Sequence, residues 1–124
     1  MANPNIVNVT SIYGNTSTTA LSTTSATSVV SNAASSGKVY KINTLVVSNS
    51  DTLTAMGATI NFYSAASLGG TAFPWVTTLS VPALSSMIII DKTSSVYLLE
   101  DKSIGVTATT ANKITVIASW EEIT

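Results

Sequence analysis

Apolar and polar residues alternate with a period of two over much of the chain. From Ala58 to Ser64, Ala58, Ile60 and Phe62 alternate with Thr59, Asn61 and Tyr63. From Phe73 to Val81 the apolar set is Phe73, Trp75, Leu79 and Val81. From Ile104 to Thr110, Ile104, Val106 and Ala108 share one parity, and Gly105, Thr107 and Thr109 the other. From Lys113 to Glu121, Ile114, Val116, Ala118 and Trp120 oppose Thr115, Ser119 and Glu121, with Ile117 the one exception. Side chains on a strand alternate between its faces, so each segment is predicted to be a half-buried strand. The same parity predicts that Ile60, Phe62, Trp75, Leu79, Ile104, Val106, Val116 and Trp120 are buried.

Three further runs are more continuously apolar: Val39 to Val47, Met87 to Ile90 and Val96 to Leu99. They are rich in Val, Ile, Leu and Tyr and also read as strands. Turn signals fall between the runs, at Ser35-Ser36-Gly37, Ser48 to Asp51, Ser67 to Gly70, Asp91 to Ser94 and Glu100 to Lys102. No segment carries a helical stripe, and the many β-branched residues disfavour helix. Short strands with a turn about every ten residues predict an all-β fold, an antiparallel β-sandwich of jelly-roll or immunoglobulin-like type.

The stretch up to Ser36 has no charged residue and is dense in Ser, Thr and Asn. Ile6, Val7, Val9 and Ile12 suit one strand, and Leu21, Val29 and Val30 another. Residues 1–14 are therefore read as an N-terminal arm or first strand, and 15–124 as one sandwich domain. A disordered tail through Ser36 is the alternative, which the apolar residues argue against. Ile6, Val7, Val9, Ile12 and Tyr13 become the candidate partner-binding residues, because such an arm can add a strand to a neighbouring sheet.

Composition narrows the chemistry. The chain has 124 residues, one domain's worth, with 45% hydrophobic residues. Asp, Glu, Lys and Arg make up only 9%, against about 25% in an average soluble domain. Serine and threonine replace them, at about a third of the chain. The net charge of −1 provides no field for steering nucleic acid or an anionic membrane, so neither is an expected partner. Met1 to Asn5 lacks a basic n-region and an apolar h-region, so no secretion signal is expected. Met87 to Ile90, among the longest apolar runs, falls far short of the roughly 20 residues of a membrane helix.

Catalysis is poorly provided for. With no His there is no ordinary base near neutral pH, with no Cys no thiolate, and with no Arg no bidentate clamp. Ser35-Ser36-Gly37-Lys38 has a Ser-x-x-Lys spacing, but at a strand entrance rather than on one helix face. Glu100-Asp101 and Glu121-Glu122 are adjacent pairs; neighbours on a strand diverge, so both read as solvated turn or edge charges. The Asn49-Ser50-Asp51 loop offers oxygens but no known calcium pattern. Trp75, Tyr63 and Tyr97 are candidates for a sugar-stacking platform, against core packing for the tryptophan. No enzyme activity, cofactor or metal is expected.

Three segments carry a family resemblance. They are Ser36-Gly37-Lys38-Val39-Tyr40-Lys41-Ile42-Asn43 running into Val46-Val47-Ser48-Asn49; Val81-Pro82-Ala83 with Tyr97-Leu98-Leu99-Glu100 and Ser103-Ile104-Gly105-Val106; and the ending Ile114 to Ile123. Together they resemble small virion proteins of tailed phages, cyanophages in particular. The resemblance implies a β-sandwich on the virion, most simply a capsid decoration or cement protein contacting the major capsid protein as a homo-oligomer. A neck or tail component touching the host is the first alternative, and a small carbohydrate-binding module the second.

Overall fold

The computed structural model describes residues 4–124. Its strands are β1 (Ile12–Ala20), β2 (Thr27–Asn32), β3 (Val39–Asn49), β4 (Met56–Ala65), β5 (Gly69–Val81), β6 (Ser86–Ile90), β7 (Val96–Leu98), β8 (Lys102–Ala108) and β9 (Ile114–Ile123). One sheet has the order β1-β9-β3-β6, with β7 also on β3; the other has the order β2-β8-β4-β5, and every pairing is antiparallel. β6 and β7 lie in line along the same edge of β3, interrupted by a 3-10 turn at Lys92–Ser94 that Asp91 caps. With these counted as one broken strand, consecutive strands alternate between sheets except at the β4–β5 hairpin, which is jelly-roll connectivity. The predicted sandwich is the observed fold.

The core follows the period-two pattern. Ile42, Leu45 and Val47 of β3 and Ile114, Val116 and Ala118 of β9 meet Ala58 and Ile60 of β4 and Ile104, Val106 and Ala108 of β8. All eleven are at most 1% exposed, so the sequence parity assigned the faces of β4, β8 and β9 correctly.

Four of the predicted core residues depart from full burial. Phe62, Leu79 and Trp120 are half-buried, and Trp75 is 39% exposed. For Trp75 and Leu79 the cause lies in β5. It is an edge strand with register shifts against β4 at three places, and Thr78 there takes a positive φ of 49°. Each bulge inserts a residue and re-aims those beyond it, so simple alternation fails along this strand.

Two buried asparagines, which alternation cannot foresee, tie the loops at either end. Asn32 Nδ2 donates to the carbonyls of Lys38 (2.9 Å) and Leu98 (3.1 Å), while its Oδ1 accepts from Ser36 Oγ (2.6 Å). Asn49 Nδ2 donates to the carbonyls of Thr54 (2.9 Å) and Val81 (3.0 Å), and its Oδ1 accepts from the Asp51 N–H (2.9 Å). A buried amide costs little only when its donors and acceptor are satisfied, and here they are.

Candidate functional site

β1 begins the sandwich at one edge. It pairs with β9 over nine consecutive positions, Ile12↔Ile123 to Ala20↔Thr115, without a register shift. Among the described residues no strand pairs with its other side. β1 carries no charge and no proline. The other edges are protected differently: β5 by Pro74 and three shifts, β2 by a shift at Ser28/Val30, β6 by five-residue length and a shift, and β7 by three-residue length. Proline, bulges and shortness all discourage edge pairing, and β1 has none of them.

The residues just before β1 do not form the strand expected from Ile6, Val7 and Val9. They form a turn. The Asn8 N–H donates to the Asn5 carbonyl (3.1 Å), and the Val7 N–H donates to Asn5 Oδ1 (2.9 Å). Asn5 thus closes the turn with both backbone and side chain, a local bond that competes with strand pairing. Ile6 and Val7 occupy its tip, 54% and 92% exposed. Thr10 and Ser11 then fasten the segment to the sandwich by donating to the Thr124 carbonyl. Val9 is half-buried, whereas Ile12 and Tyr13 belong to β1 itself and are 53% and 63% exposed. Met1, Ala2 and Asn3, the start of the predicted arm, lie outside the described residues.

Of the three aromatic residues considered for a sugar platform, Tyr63 and Tyr97 line one cavity, and Trp75 packs on Phe62 of the same lining. The Tyr63 ring packs over Gly105 on the outer face of the β2-β8-β4-β5 sheet, where an added Cβ would meet its Cε2 at 3.0 Å. Trp75 leans on Phe62, with ring centroids 4.9 Å apart. Tyr97 pairs with Lys41 on the outer side of the other sheet, since its neighbours Val96 and Leu98 turn inward.

Where the two sheets part beside β7, a cavity of about 160 Å³ opens, lined by Phe62, Tyr63, Val96, Tyr97, Leu98, Leu99 and Lys102. Its walls are mainly apolar. Lys102 Nζ donates to the Ser64 carbonyl (2.9 Å) and brings a positive charge to the lining.

Among the described residues, no three His, Cys, Asp or Glu side chains lie together in a way that would hold a metal. Asp51 accepts the Leu53 and Thr54 N–H groups and pairs with Lys113 (3.2 Å), which holds its carboxyl below the usual range, the backbone bonds contributing most. Asp51 thus braces the β3–β4 loop. Ser35 and Lys38 flank a loop closed by Asn32 and Ser36, and Lys38 pairs with Glu122 (3.6 Å).

Glu100 corrects the expectation of a solvated turn charge. It is only 9% exposed, and neither carboxylate oxygen has a hydrogen-bond partner among the described residues. Asp101 and the third residue of the same turn, Lys102, instead anchor the β4–β5 turn through Ala66 and Ser64.

No family model and no curated protein matches this chain. Among solved structures, a chain from a structure described as Bacillus endospore appendages forming a novel family of disulfide-linked pili matches with a TM-score of 0.54 at 17% identity. The match covers 99% of this chain and 98% of that one. At that identity the likeness concerns the fold, which the two share from end to end.

Proposed function

We propose that this chain is a non-enzymatic structural subunit that acts in many copies and joins its neighbours by strand addition at β1. The observation that carries this reading is the unprotected edge of β1: nine residues, flat in register, uncharged and free of proline. An edge of this kind offers a row of N–H and C=O groups to a neighbouring strand, and soluble monomers avoid presenting one. The weakly charged, hydroxyl-rich surface lowers the cost of burying it against a neighbour. Many copies then hold modest contacts together through effective concentration.

The phage resemblance makes the surface of a virion the first setting, as a capsid decoration protein, with neck or tail as the second. The likeness to an appendage subunit supports an assembly of copies in either case. Cysteine is absent from the chain, so its contacts are not disulfide links. A carbohydrate-binding module is the remaining alternative, with Tyr63 and Tyr97 at the cavity as its candidate contacts.

Analytical sedimentation and electron microscopy test this reading. Concentration-dependent assembly, or co-sedimentation with purified virions, is the expected outcome. Thr16→Lys with Thr18→Lys, both exposed on β1, weakens it at least tenfold while the fold persists. A chain that stays monomeric at millimolar concentration and appears in no purified particle sinks the proposal.

A further inference from the structure

The β1 edge explains how backbones meet but leaves two apolar features without an occupant: the Ile6–Val7 turn and the cavity beside β7. We propose that the Ile6–Val7 turn of one copy seats in this cavity of a second copy. The inference rests on the subunit reading above and names the receptor for its arm.

The turn is built to present apolar groups. Central positions of tight turns favour polar residues, Gly and Pro. Here Asn5 closes the turn from both its carbonyl and its side chain, and the tip carries Ile and Val. Val7 is 92% exposed, the highest of any large hydrophobic residue among those described. An aliphatic pair held on a pre-formed turn loses little conformational entropy on docking, which favours insertion into a partner.

The cavity matches it in size and chemistry. At about 160 Å³, lined by Phe62, Val96, Leu98 and Leu99, it is comparable to an engineered apolar cavity of about 150 Å³ that admits benzene. A valine or isoleucine side chain fits such a space, whose walls are mainly apolar although Lys102 adds a charge to them. The chain's own arm does not fill it, since Val7 stands in solvent.

Position decides between copies. The arm joins the sandwich at Thr124, beside the β1 edge. The cavity lies across β9 and β3, on the β7 side, at the same end of the sandwich, because Val39 and Tyr40 of β3 pair with Ile123 and Leu98 respectively. Donor and acceptor therefore sit on opposite edges of one molecule. A contact of this kind is heterologous: it propagates side by side into a ring or a filament. Leu53, 90% exposed, is the competing aliphatic tip. It lies in the β3–β4 loop at the far end, braced by Asp51 and Lys113.

The absence of cysteine makes a cross-linking test clean. Val7→Cys and Leu99→Cys variants are mixed at a concentration where the wild-type chain assembles, and are then oxidised. The expected product is a Val7–Leu99 cross-linked dimer, at least tenfold more abundant than from a Leu53→Cys and Leu99→Cys mixture. The doubly substituted chain (Val7→Cys with Leu99→Cys) yields a ladder of higher oligomers. Cross-linking of Leu53→Cys to Leu99→Cys at equal or greater yield overturns the proposal, as does assembly without any Val7–Leu99 product. In parallel, Val7→Asp raises the assembly concentration at least tenfold with unchanged thermal stability. Assembly of Val7→Asp at the wild-type concentration refutes the arm contact while leaving the β1 reading standing. A wild-type chain that never assembles removes both.

Discussion

Tyr40 of β3 lies stacked against Trp120 of β9, with ring centroids 6.0 Å apart and planes inclined by 24°. The pair closes the core at the arm end, where the two sheets begin to separate. Trp120 is half-buried and its Nε1 has no acceptor among the described residues, so its contribution comes from packing. Trp120→Ala is expected to cost roughly 2–3 kcal/mol, below the 3–5 kcal/mol of a fully buried aromatic, and Trp120→Phe under about 1 kcal/mol. Urea denaturation of the three proteins measures both. Equal losses for Ala and Phe contradict the packing account.

Tyr40 gives the pair a signature at high pH. Burial, then the hydrogen bond its hydroxyl donates to Glu122 and the charge of that carboxylate, push the phenol up to about 12. The unfolded value is near 10. A group raised in the folded state contributes stability that is fully present below the unfolded value and is lost as pH rises through the folded one. The wild-type chain should therefore lose stability between pH 10 and 12 more steeply than Tyr40→Phe. Parallel stability curves for the two proteins in that window contradict the assignment.

The faces of β4, β8 and β9 were legible because each is a central strand with unbroken parity. Ile60, Ile104, Val106 and Val116 needed nothing beyond a period of two. β5 was not legible in the same way. Its bulges depend on pairing with β4, and nothing in Phe73 to Val81 announces that Thr78 adopts a positive φ. The arm shows the converse. Ile6, Val7 and Val9 have strand propensity, but Asn5 offers a local hydrogen bond that wins over pairing. Glu100 has the sequence setting of an exposed turn residue, whereas its burial depends on how Leu99 to Asp101 folds back against Ala33. The cavity has no sequence signal at all, since its lining comes from three separate segments.

Gly105 is expected to resist any side chain. A Cβ there would approach Leu68 Cδ2 to 2.6 Å and Tyr63 Cε2 to 3.0 Å on the outer face of β8. Overpacking typically costs 1–3 kcal/mol, and the low end, about 1 kcal/mol, applies here because the nearest atom is the end of the flexible Leu68 side chain. Gly105→Ala should lower stability by about that much, and Gly105→Ala with Leu68→Ala should recover part of it. Full stability in the single variant would mean that Tyr63 and Leu68 yield freely.

Two carboxylates set the acid limit. Asp51 is held below the usual range chiefly by the Leu53 and Thr54 N–H groups, and Asp91 chiefly by the Thr93 hydroxyl and N–H. A depressed folded value contributes stability above the ordinary carboxylate value of about 3.9, and that stability is lost as pH falls below it through the folded value. Below pH 4 the wild-type chain should lose stability faster than Asp51→Asn or Asp91→Asn. Identical acid slopes would remove these two groups from the account.

Glu100 carries the most unusual prediction. Its carboxylate is nine-tenths buried with both oxygens unpaired. A buried charge without a partner is destabilising, and a neutral isostere removes the charge without changing the shape. Glu100→Gln should therefore raise the stability of the isolated subunit, by about 1 kcal/mol or more. For a domain near 100 residues that corresponds to a rise of about 4–8 °C in Tm, read directly by thermal melting at pH 7. Glu100→Ala is the control, because it removes the same charge but leaves a void. It should gain less than the glutamine, or lose. If Glu100→Gln instead lowers Tm in the isolated subunit, the carboxylate has a partner within the fold, and the account of it as an uncompensated buried charge fails.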